Sequence, residues 1–283
     1  MNENVQNIIY AVLAFLALGG GMGILLAIAS KVFFVKTNEN VAAIAEILPG
    51  ANCGGCGYSG CSALAEAIVK GEAKTSACVA GDEALAAAIA QIMGVPAEKP
   101  VRKRAQVMCS GTSEYAKKKY AYKGAHDCFA ASKMGGGDKL CPNGCIGLGT
   151  CVAACMFDAI NIVDGVAVVD YEKCQACGRC VEACPKHIIR IIPYESTHWV
   201  GCMSIDKGAV TKKYCDVGCI SCKICEKACN YYAIKVEGGV ATIDYDRCTM
   251  CGECVSKCPR KIIWSDRSQR VSITIQPEHV KGA

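Results

Sequence analysis

The chain has 283 residues, of which 52% are hydrophobic, only 6% are aromatic and 24 are cysteines. So many cysteines with so few aromatic side chains predict small lobes built around inorganic clusters instead of one large hydrophobic core. The formal net charge of +5 counts every thiol as neutral. Bound four-thiolate clusters would add about −2 each, so the sequence charge is a poor guide to partners, and nothing else in the sequence supports nucleic-acid binding.

The even number of cysteines also occurs in disulfide-rich secreted proteins. Nearly half of these cysteines, however, lie in Cys-x-x-Cys spacings, and the N-terminus lacks the features of a cleavable secretory signal. These two observations favour metal ligands. Zinc in four-thiolate sites remains the alternative to iron–sulfur clusters.

The first predicted element is a membrane anchor at residues 1–36. Residues Asn4 to Ser30 contain no charged side chain, and at ~1.5 Å per residue they are long enough to span a bilayer as one helix. The first basic residues, Lys31 and Lys36, follow the apolar segment. The positive-inside rule then predicts an N-terminus outside and all later domains in the cytoplasm, where thiols stay reduced.

Residues 37–97 predict a small helical module with one 4Fe-4S cluster. Apolar residues at helical spacing predict helices over Asn38 to Leu48, Ser62 to Val69 and Glu83 to Met93. Glycines separate the first cysteines of this segment and let backbone N–H groups approach the cluster. The predicted ligands are Cys53, Cys56, Cys61 and Cys78.

Residues 98–125 predict a basic linker that contains Cys109. The segment from Glu98 to Lys123 has eight basic residues and two acidic ones. It is interpreted either as a solvated or lipid-adhering linker or as a docking surface for an acidic electron carrier.

Two cysteine runs dominate the rest of the chain. They are Cys174-x-x-Cys177-x-x-Cys180-x-x-x-Cys184-Pro185 and Cys248-x-x-Cys251-x-x-Cys254-x-x-x-Cys258-Pro259, which have the ligand spacing of bacterial 4Fe-4S ferredoxins. A gapless offset of 74 relates them and also pairs Cys128 with Cys202. The prediction is two ferredoxin-like repeats, residues 126–197 and 198–265, each with a short hairpin after its first ligands, and a tail over 266–283. The fold class is therefore α+β.

The second copy has ligands for two complete clusters. In bacterial ferredoxins the cysteine before proline binds the cluster of the other run. This rule groups Cys219, Cys222, Cys225 and Cys258, and it groups Cys229, Cys248, Cys251 and Cys254. In the first copy the equivalent of the second group is complete and consists of Cys155, Cys174, Cys177 and Cys180. The equivalent of the first group lacks one ligand, because Leu148 stands at the position of Cys222. Its remaining ligands are Cys145, Cys151 and Cys184.

Five cysteines remain: Cys109, Cys128, Cys141, Cys202 and Cys215. The economical hypothesis is that Cys109 replaces the ligand missing at Leu148, and that the other four share one further cluster between the repeats. The alternative gives Cys141 to the incomplete cluster and Cys109 to the shared one. Either arrangement predicts six 4Fe-4S clusters, with five as the minimum.

No catalytic residues are predicted. The four histidines, His126, His187, His198 and His279, lack metal-ligand spacing and are interpreted as surface or packing residues. The stretch Gly135-Gly136-Gly137 lacks the strand and helix that a phosphate-binding loop requires, so nucleotide binding is not expected.

The order of these parts resembles the B subunit of the Rnf complex, the membrane-bound ferredoxin:NAD oxidoreductase of bacteria. The anchor together with the Cys53 to Cys61 motif is the most specific part of a resemblance that covers nearly the whole chain. It implies an electron-relay subunit in the bacterial inner membrane that accepts electrons from reduced ferredoxin. Other membrane and soluble subunits would reduce NAD and move sodium ions or protons. The second repeat exceeds the family's minimal pattern of three clusters, and a polyferredoxin subunit of another reductase or hydrogenase is the alternative function.

Overall fold

The computed structural model describes residues 3–32 and 38–265. The helices are α1 (Glu3–Val32), α2 (Glu39–Ile47), α3 (Cys61–Val69), α4 (Glu83–Met93), α5 (Cys128–Lys133), α6 (Thr150–Ala153), α7 (Arg179–Glu182), α8 (Gly208–Tyr214), α9 (Ile224–Lys227) and α10 (Glu253–Lys257). The strands are β1 (Lys103–Val107), β2 (Ile160–Val163), β3 (Val166–Val169), β4 (Ile189–Pro193), β5 (Trp199–Val200), β6 (Ile234–Glu237), β7 (Val240–Ile243) and β8 (Ile263–Trp264). This mixture confirms the predicted α+β class.

Helix α1 contains the predicted membrane span. Its segment Val12–Lys31 has a mean hydropathy of 2.4 and is not buried against the rest of the chain. By length and composition it can cross a bilayer, and large apolar side chains such as Phe15 and Leu18 are exposed. Residues 33–36 of the predicted anchor and the predicted tail 266–283 lie outside the described residues.

Helices α2, α3 and α4 form the small module after the anchor. Their apolar faces meet in a core that contains Ile44, Leu64, Ile68 and Ile89. The N-cap of α4 is Asp82, whose side chain accepts a hydrogen bond from the N–H of Leu85 at 2.8 Å. Capping and packing together fix three short helices that would be marginal alone, and they confirm the three predicted helices.

Each ferredoxin-like repeat contains the predicted hairpin. Strands β2 and β3 pair with Ile160 opposite Val169, and β6 and β7 pair with Ile234 opposite Ile243. Both hairpins place alternate apolar side chains in a core that also holds the cluster cysteines. The two copies therefore match in structure at the offset of 74.

A second pair of strands in each repeat corrects the predicted linker over 98–125. Strand β1 lies within that segment and pairs antiparallel with β4, with Val107 opposite Ile189. In the second repeat β5 pairs with β8 in the same way, with Val200 opposite Ile263. Four of the five residues of β1 are buried, so this part of the basic segment is an edge of the first repeat and not a solvated connection.

The two repeats pack against each other through aromatic and polar side chains. Within the second repeat the rings of Trp199 and Trp264 stack with centroids 6.4 Å apart. The indole N–H of Trp264 reaches the first repeat and donates to Oγ of Ser110 at 3.0 Å. Arg104 is fully buried, with its guanidinium 3.8 Å from the ring of Tyr171 and 5.6 Å from that of Trp199. The repeats therefore have a fixed relative orientation, which places cysteines from both copies at one junction.

Candidate metal centres

All 24 cysteines lie in the described residues, and no disulfide bond joins any of them there. In the second repeat the structure brings together the two predicted ligand groups. Cavities of about 340 and 350 Å³ are each lined by one group, Cys219, Cys222, Cys225 and Cys258 in the first and Cys229, Cys248, Cys251 and Cys254 in the second. Each cavity has four sulfur donors, and most of its lining is apolar. This donor set suits an iron–sulfur cluster.

A buried imidazole in the second of these cavities supports the same interpretation. His198 is 4% exposed, and its Nδ1 lies 2.8 Å from Oγ1 of Thr197. Its Nε2 atom is buried, and within residues 38–265 no protein group forms a hydrogen bond with it. A buried polar atom costs free energy unless it has a partner, and a cluster sulfur would provide an acceptor.

The first repeat contains the equivalent of the Cys229 group. Cys174, Cys177 and Cys155 lie near Cys180, whose thiol pKa is raised to about 12, first by burial and then by these neighbours. Backbone N–H groups point at two of the sulfurs, from Ala105 to Cys174 at 3.3 Å and from Ala159 to Cys155 at 3.4 Å. Such N–H donors are one means by which proteins set cluster potentials.

In the structure Cys128 lies with the incomplete group of the first repeat, whereas Cys109, which the economical hypothesis gave to this group, lines a different cavity. A cavity of about 370 Å³ is lined by Cys128, Cys145, Cys151 and Cys184. Cys128 begins helix α5, whose N-cap is Asp127. Leu148 packs beside Cys128 and Ile146, so the substitute thiol approaches from the side of the lost ligand.

A small hydrogen-bond network holds Cys128 in this place. The carboxylate of Asp127 accepts from the N–H of Ala130 at 2.6 Å and from Oγ1 of Thr150 at 3.0 Å. Oγ1 of Thr150 in turn accepts from the N–H of Cys128 at 2.6 Å. Because Thr150 precedes the ligand Cys151, the network ties the substitute ligand to the ligand set that it completes.

One further cavity lies between the repeats. It has a volume of about 370 Å³ and is lined by Cys109, Cys141, Cys202 and Cys215. A site shared by the repeats was predicted, but with Cys128 in place of Cys109. The alternative placed Cys109 here but gave Cys141 to the incomplete cluster, whereas in the structure Cys141 also lines this cavity.

The shared site has two equivalent halves. The N–H of Cys145 donates to Sγ of Cys109 at 3.4 Å, and the N–H of Cys219 donates to Sγ of Cys202 at 3.3 Å. Cys109 and Cys141 are 32 residues apart, whereas Cys202 and Cys215 are 13 apart. The first repeat is therefore longer by 19 residues between these ligands, and α5 lies in this longer segment. A gapless comparison missed this insertion, although Val-x-Cys at Val107 to Cys109 recurs at Val200 to Cys202.

The module after the anchor holds the predicted N-terminal site. The pKa of the Cys78 thiol is raised, first by burial and also by the nearby thiolates of Cys61, Cys53 and Cys56. Oδ1 of Asn52 accepts a hydrogen bond from the N–H of Cys61 at 2.8 Å, which fixes the start of α3 at the third cysteine.

This N-terminal site contacts the first repeat directly. A Cβ atom added to Gly55 would lie 2.8 Å from Cα of Cys177, so glycine permits the close approach of the two loops. The pKa of the Cys177 thiol is raised, chiefly by burial and in part by negative charge on Cys53. The two cluster-binding loops are therefore neighbours.

Burial dominates the electrostatics of the cysteines. It raises the pKa of Cys151, Cys202 and Cys225 to about 12. Without a metal these thiols are neutral at pH 7, and iron must displace their protons to bind. Within the described ranges no three His, Cys, Asp or Glu side chains converge on a point that would hold a single ion.

Family models match three parts of the chain. A model of an Fe-S cluster matches residues 48–80, a 4Fe-4S binding domain matches 167–190, and a 4Fe-4S dicluster domain matches 218–263. These segments contain the N-terminal site, the first cysteine run and the two ligand groups of the second repeat. One apolar helix followed by such domains defines a membrane-anchored iron–sulfur protein that transfers electrons.

Curated relatives match most of the chain. The B subunit of the Na(+)-translocating ferredoxin:NAD(+) oxidoreductase complex of Acetobacterium woodii is 50% identical over 86% of this chain and 74% of that protein. The B subunit of the ion-translocating oxidoreductase complex of Methanosarcina acetivorans is 40% identical over 89% and 96%. Its counterpart in the proton-translocating ferredoxin:NAD(+) oxidoreductase complex of Clostridium ljungdahlii is 39% identical over 90% and 91%. The chain belongs to the family of B subunits of ion-translocating oxidoreductase (Rnf) complexes.

Proposed function

We propose that this chain binds six 4Fe-4S clusters and relays electrons from reduced ferredoxin to the membrane subunits of an ion-translocating ferredoxin:NAD oxidoreductase. The observation that carries this proposal is the series of four-cysteine sites that contact one another from the second repeat to the N-terminal module. The relatives' names supply the substrates and the ion movement. Reduction of NAD would take place on a partner subunit, since no catalytic group other than the cluster sites is predicted in this chain.

The contacts between sites define the proposed route. The shared site touches the Cys219 site through Cys202, and it touches the Cys145 site through Cys109. The Cys145 site adjoins the Cys180 site, because charge on Cys180 contributes to the raised pKa of Cys151. The Cys177 and Gly55 contact then leads to the N-terminal site. Electron transfer along such a chain requires no proton-transfer residue.

Electrons would enter at the second repeat. Cys222 and Cys251 are the two exposed cysteines, whereas the other ligands are buried or half-buried. Lys223 and Arg260 line the cavity that contains Cys222. A cationic rim around an accessible cluster suits an acidic ferredoxin, because opposite charge raises the rate of encounter.

Electrons would leave through the Cys53 to Cys78 site. Only a short segment, residues 33–38, separates this module from α1, which keeps its cluster close to the bilayer. The orientation proposed from Lys31, with the cluster domains in the cytoplasm, puts the soluble ferredoxin on the same side as the exposed cysteines.

Removal of one N-terminal ligand tests the route. In the assembled complex Cys56→Ala is expected to abolish reduction of the membrane partners while reduced ferredoxin still reduces the repeat clusters. Metal analysis of the purified chain should give about 24 irons for six clusters. Undiminished transfer in the Cys56→Ala complex would exclude this route, and zinc without visible absorption would exclude the redox function.

A further inference from the structure

A buried lysine lies at the junction of two cluster sites. Lys139 is 4% exposed and contributes to the lining of the shared cavity with Cys109 and Cys141. Its ammonium donates hydrogen bonds to the carbonyl oxygens of Gly111 and Gly165, each at 2.7 Å. Two short hydrogen bonds fix the position of the cation, and none of the ion pairs found within residues 38–265 includes Lys139.

The charge of Lys139 also reaches the neighbouring site. The carbonyl oxygen of Gly165, which accepts from Lys139, lies against Gly147: a Cβ added to Gly147 would be 2.5 Å from that oxygen. Gly147 lines the cavity of Cys128 and Cys145, whereas Lys139 lines the shared cavity. One cation therefore lies close to two adjacent sites.

Among the described residues of the second repeat, no buried cation stands in the place of Lys139. Lys213 stands 74 residues after Lys139 and two residues before Cys215, but it is exposed to solvent. On that side the shared cavity is lined by the hydroxyl groups of Ser204, Thr211 and Tyr214, and Tyr214 donates to the carboxylate of Asp206 at 2.6 Å.

Each repeat also has a half-buried cation beside the shared site: Lys186 donates to the carbonyl oxygen of Pro142 and Arg260, 74 residues later, donates to that of Cys215, at 2.7 and 2.8 Å. These two cations match across the repeats. The two sides of the shared site therefore differ by the buried ammonium of Lys139, which has only hydroxyls and a carboxylate as its counterparts in the second repeat.

We propose that the positive charge of Lys139 raises the reduction potentials of the shared cluster and the Cys128/Cys145 cluster. This inference rests on the proposed function, because it requires clusters in both cavities. Reduction adds one electron to a cluster and makes it more negative, so a fixed cation nearby stabilises the reduced form. An electron that leaves a reduced cluster of the second repeat is then more stable on the shared cluster or on the Cys128/Cys145 cluster. This step moves one electron; no bond forms or breaks and no proton moves.

The test is a redox titration of the full-length protein followed by EPR. In Lys139→Gln the side chain can still donate to a carbonyl oxygen but has no charge, and in Lys139→Arg the charge is kept. We expect Lys139→Gln to lower the potential of one or two clusters so that the ratio of reduced to oxidised cluster falls about tenfold at fixed potential, about 59 mV for one electron. Lys139→Arg should restore most of this shift. Lys213→Gln is the matched control and should leave every potential unchanged.

Two results would overturn the inference, and a third would instead remove its basis. Wild-type iron content with unchanged potentials in Lys139→Gln would show that the charge has no effect. Equal shifts in Lys139→Gln and Lys213→Gln would show a general surface effect. If Lys139→Gln loses iron, the potentials of Lys139→Met, which has a side chain of similar size without charge, are measured instead. Unchanged potentials in that variant would likewise overturn the inference. Absence of iron–sulfur clusters from the wild-type chain would refute the proposed function itself, which distinguishes the two failures.

Discussion

Cys109 and Cys202 occupy equivalent positions at the shared site, although 93 residues separate them. Each follows a strand that pairs with the last strand of its repeat, and each Sγ accepts a backbone hydrogen bond from the first cysteine of a neighbouring ligand set. The offset of 74 pairs Cys202 with Cys128 instead. The duplication therefore contains an insertion in its first copy, and that insertion supplies the ligand that Leu148 no longer provides.

Moving a cysteine back to position 148 tests this ligand exchange. Cys128→Ala should leave three thiolates at the Cys145 site and lower the iron content by about one to four atoms per chain. Leu148→Cys in the same variant should restore the iron, because Leu148 packs beside Cys128 and stands at the position of Cys222. Iron analysis and the EPR signal of a three-iron cluster measure both effects.

The matched control for this exchange is Cys109→Ala with and without Leu148→Cys. Because Cys109 lines the shared cavity, the added cysteine should not rescue its loss. Rescue of Cys109→Ala but not of Cys128→Ala would reverse the assignment.

A larger side chain at Gly55 should weaken the contact between the N-terminal site and the first repeat. A Cβ there would meet Cα of Cys177 at 2.8 Å, and such overlap forces the backbones apart. We expect Gly55→Ala to retain all iron but to slow transfer into the N-terminal cluster at least tenfold, measured by rapid freeze-quench EPR.

Gly57→Ala controls for loop strain. Gly57 has φ of 88° but no neighbour within 4 Å of an added Cβ, so this variant strains the same loop without opening the contact. If both variants slow transfer equally, the Gly55 contact is not the cause.

Loss of the Asp127 cap should destabilise one cluster selectively. The carboxylate holds the first turn of α5 and, through Thr150, the N–H of Cys128. Asp127→Ala should therefore release iron from the Cys128 site several-fold faster in the presence of a chelator, with the other clusters unaffected. Asp127→Asn retains an oxygen acceptor, so its rate of iron release should be close to that of the wild type. Uniform loss from all sites in Asp127→Ala would contradict a local role.

Charge reversal near Cys222 should slow reduction by ferredoxin. Lys223 lines the cavity of that exposed cysteine, and Lys223→Glu replaces attraction of an acidic partner by repulsion. Stopped-flow reduction at low ionic strength should be at least several-fold slower, and the difference should shrink as salt is added. Lys70→Glu, on the surface of the N-terminal module, should have no comparable effect.

The sequence by itself determined the anchor, the three helices of the N-terminal module, the duplicated hairpins and the two ligand groups of the second repeat. The anchor, helices and hairpins are local, because helix periodicity, capping and strand alternation depend on residues close in the chain. The ligand groups follow from the cross-ligation rule of bacterial ferredoxins. The tertiary structure decided the partners of Cys109 and Cys128, the strand within the basic segment and the contact of Gly55 with Cys177. Each of these depends on how separate segments pack, and an insertion of 19 residues changes the spacing along the chain without changing which atoms meet around the shared site.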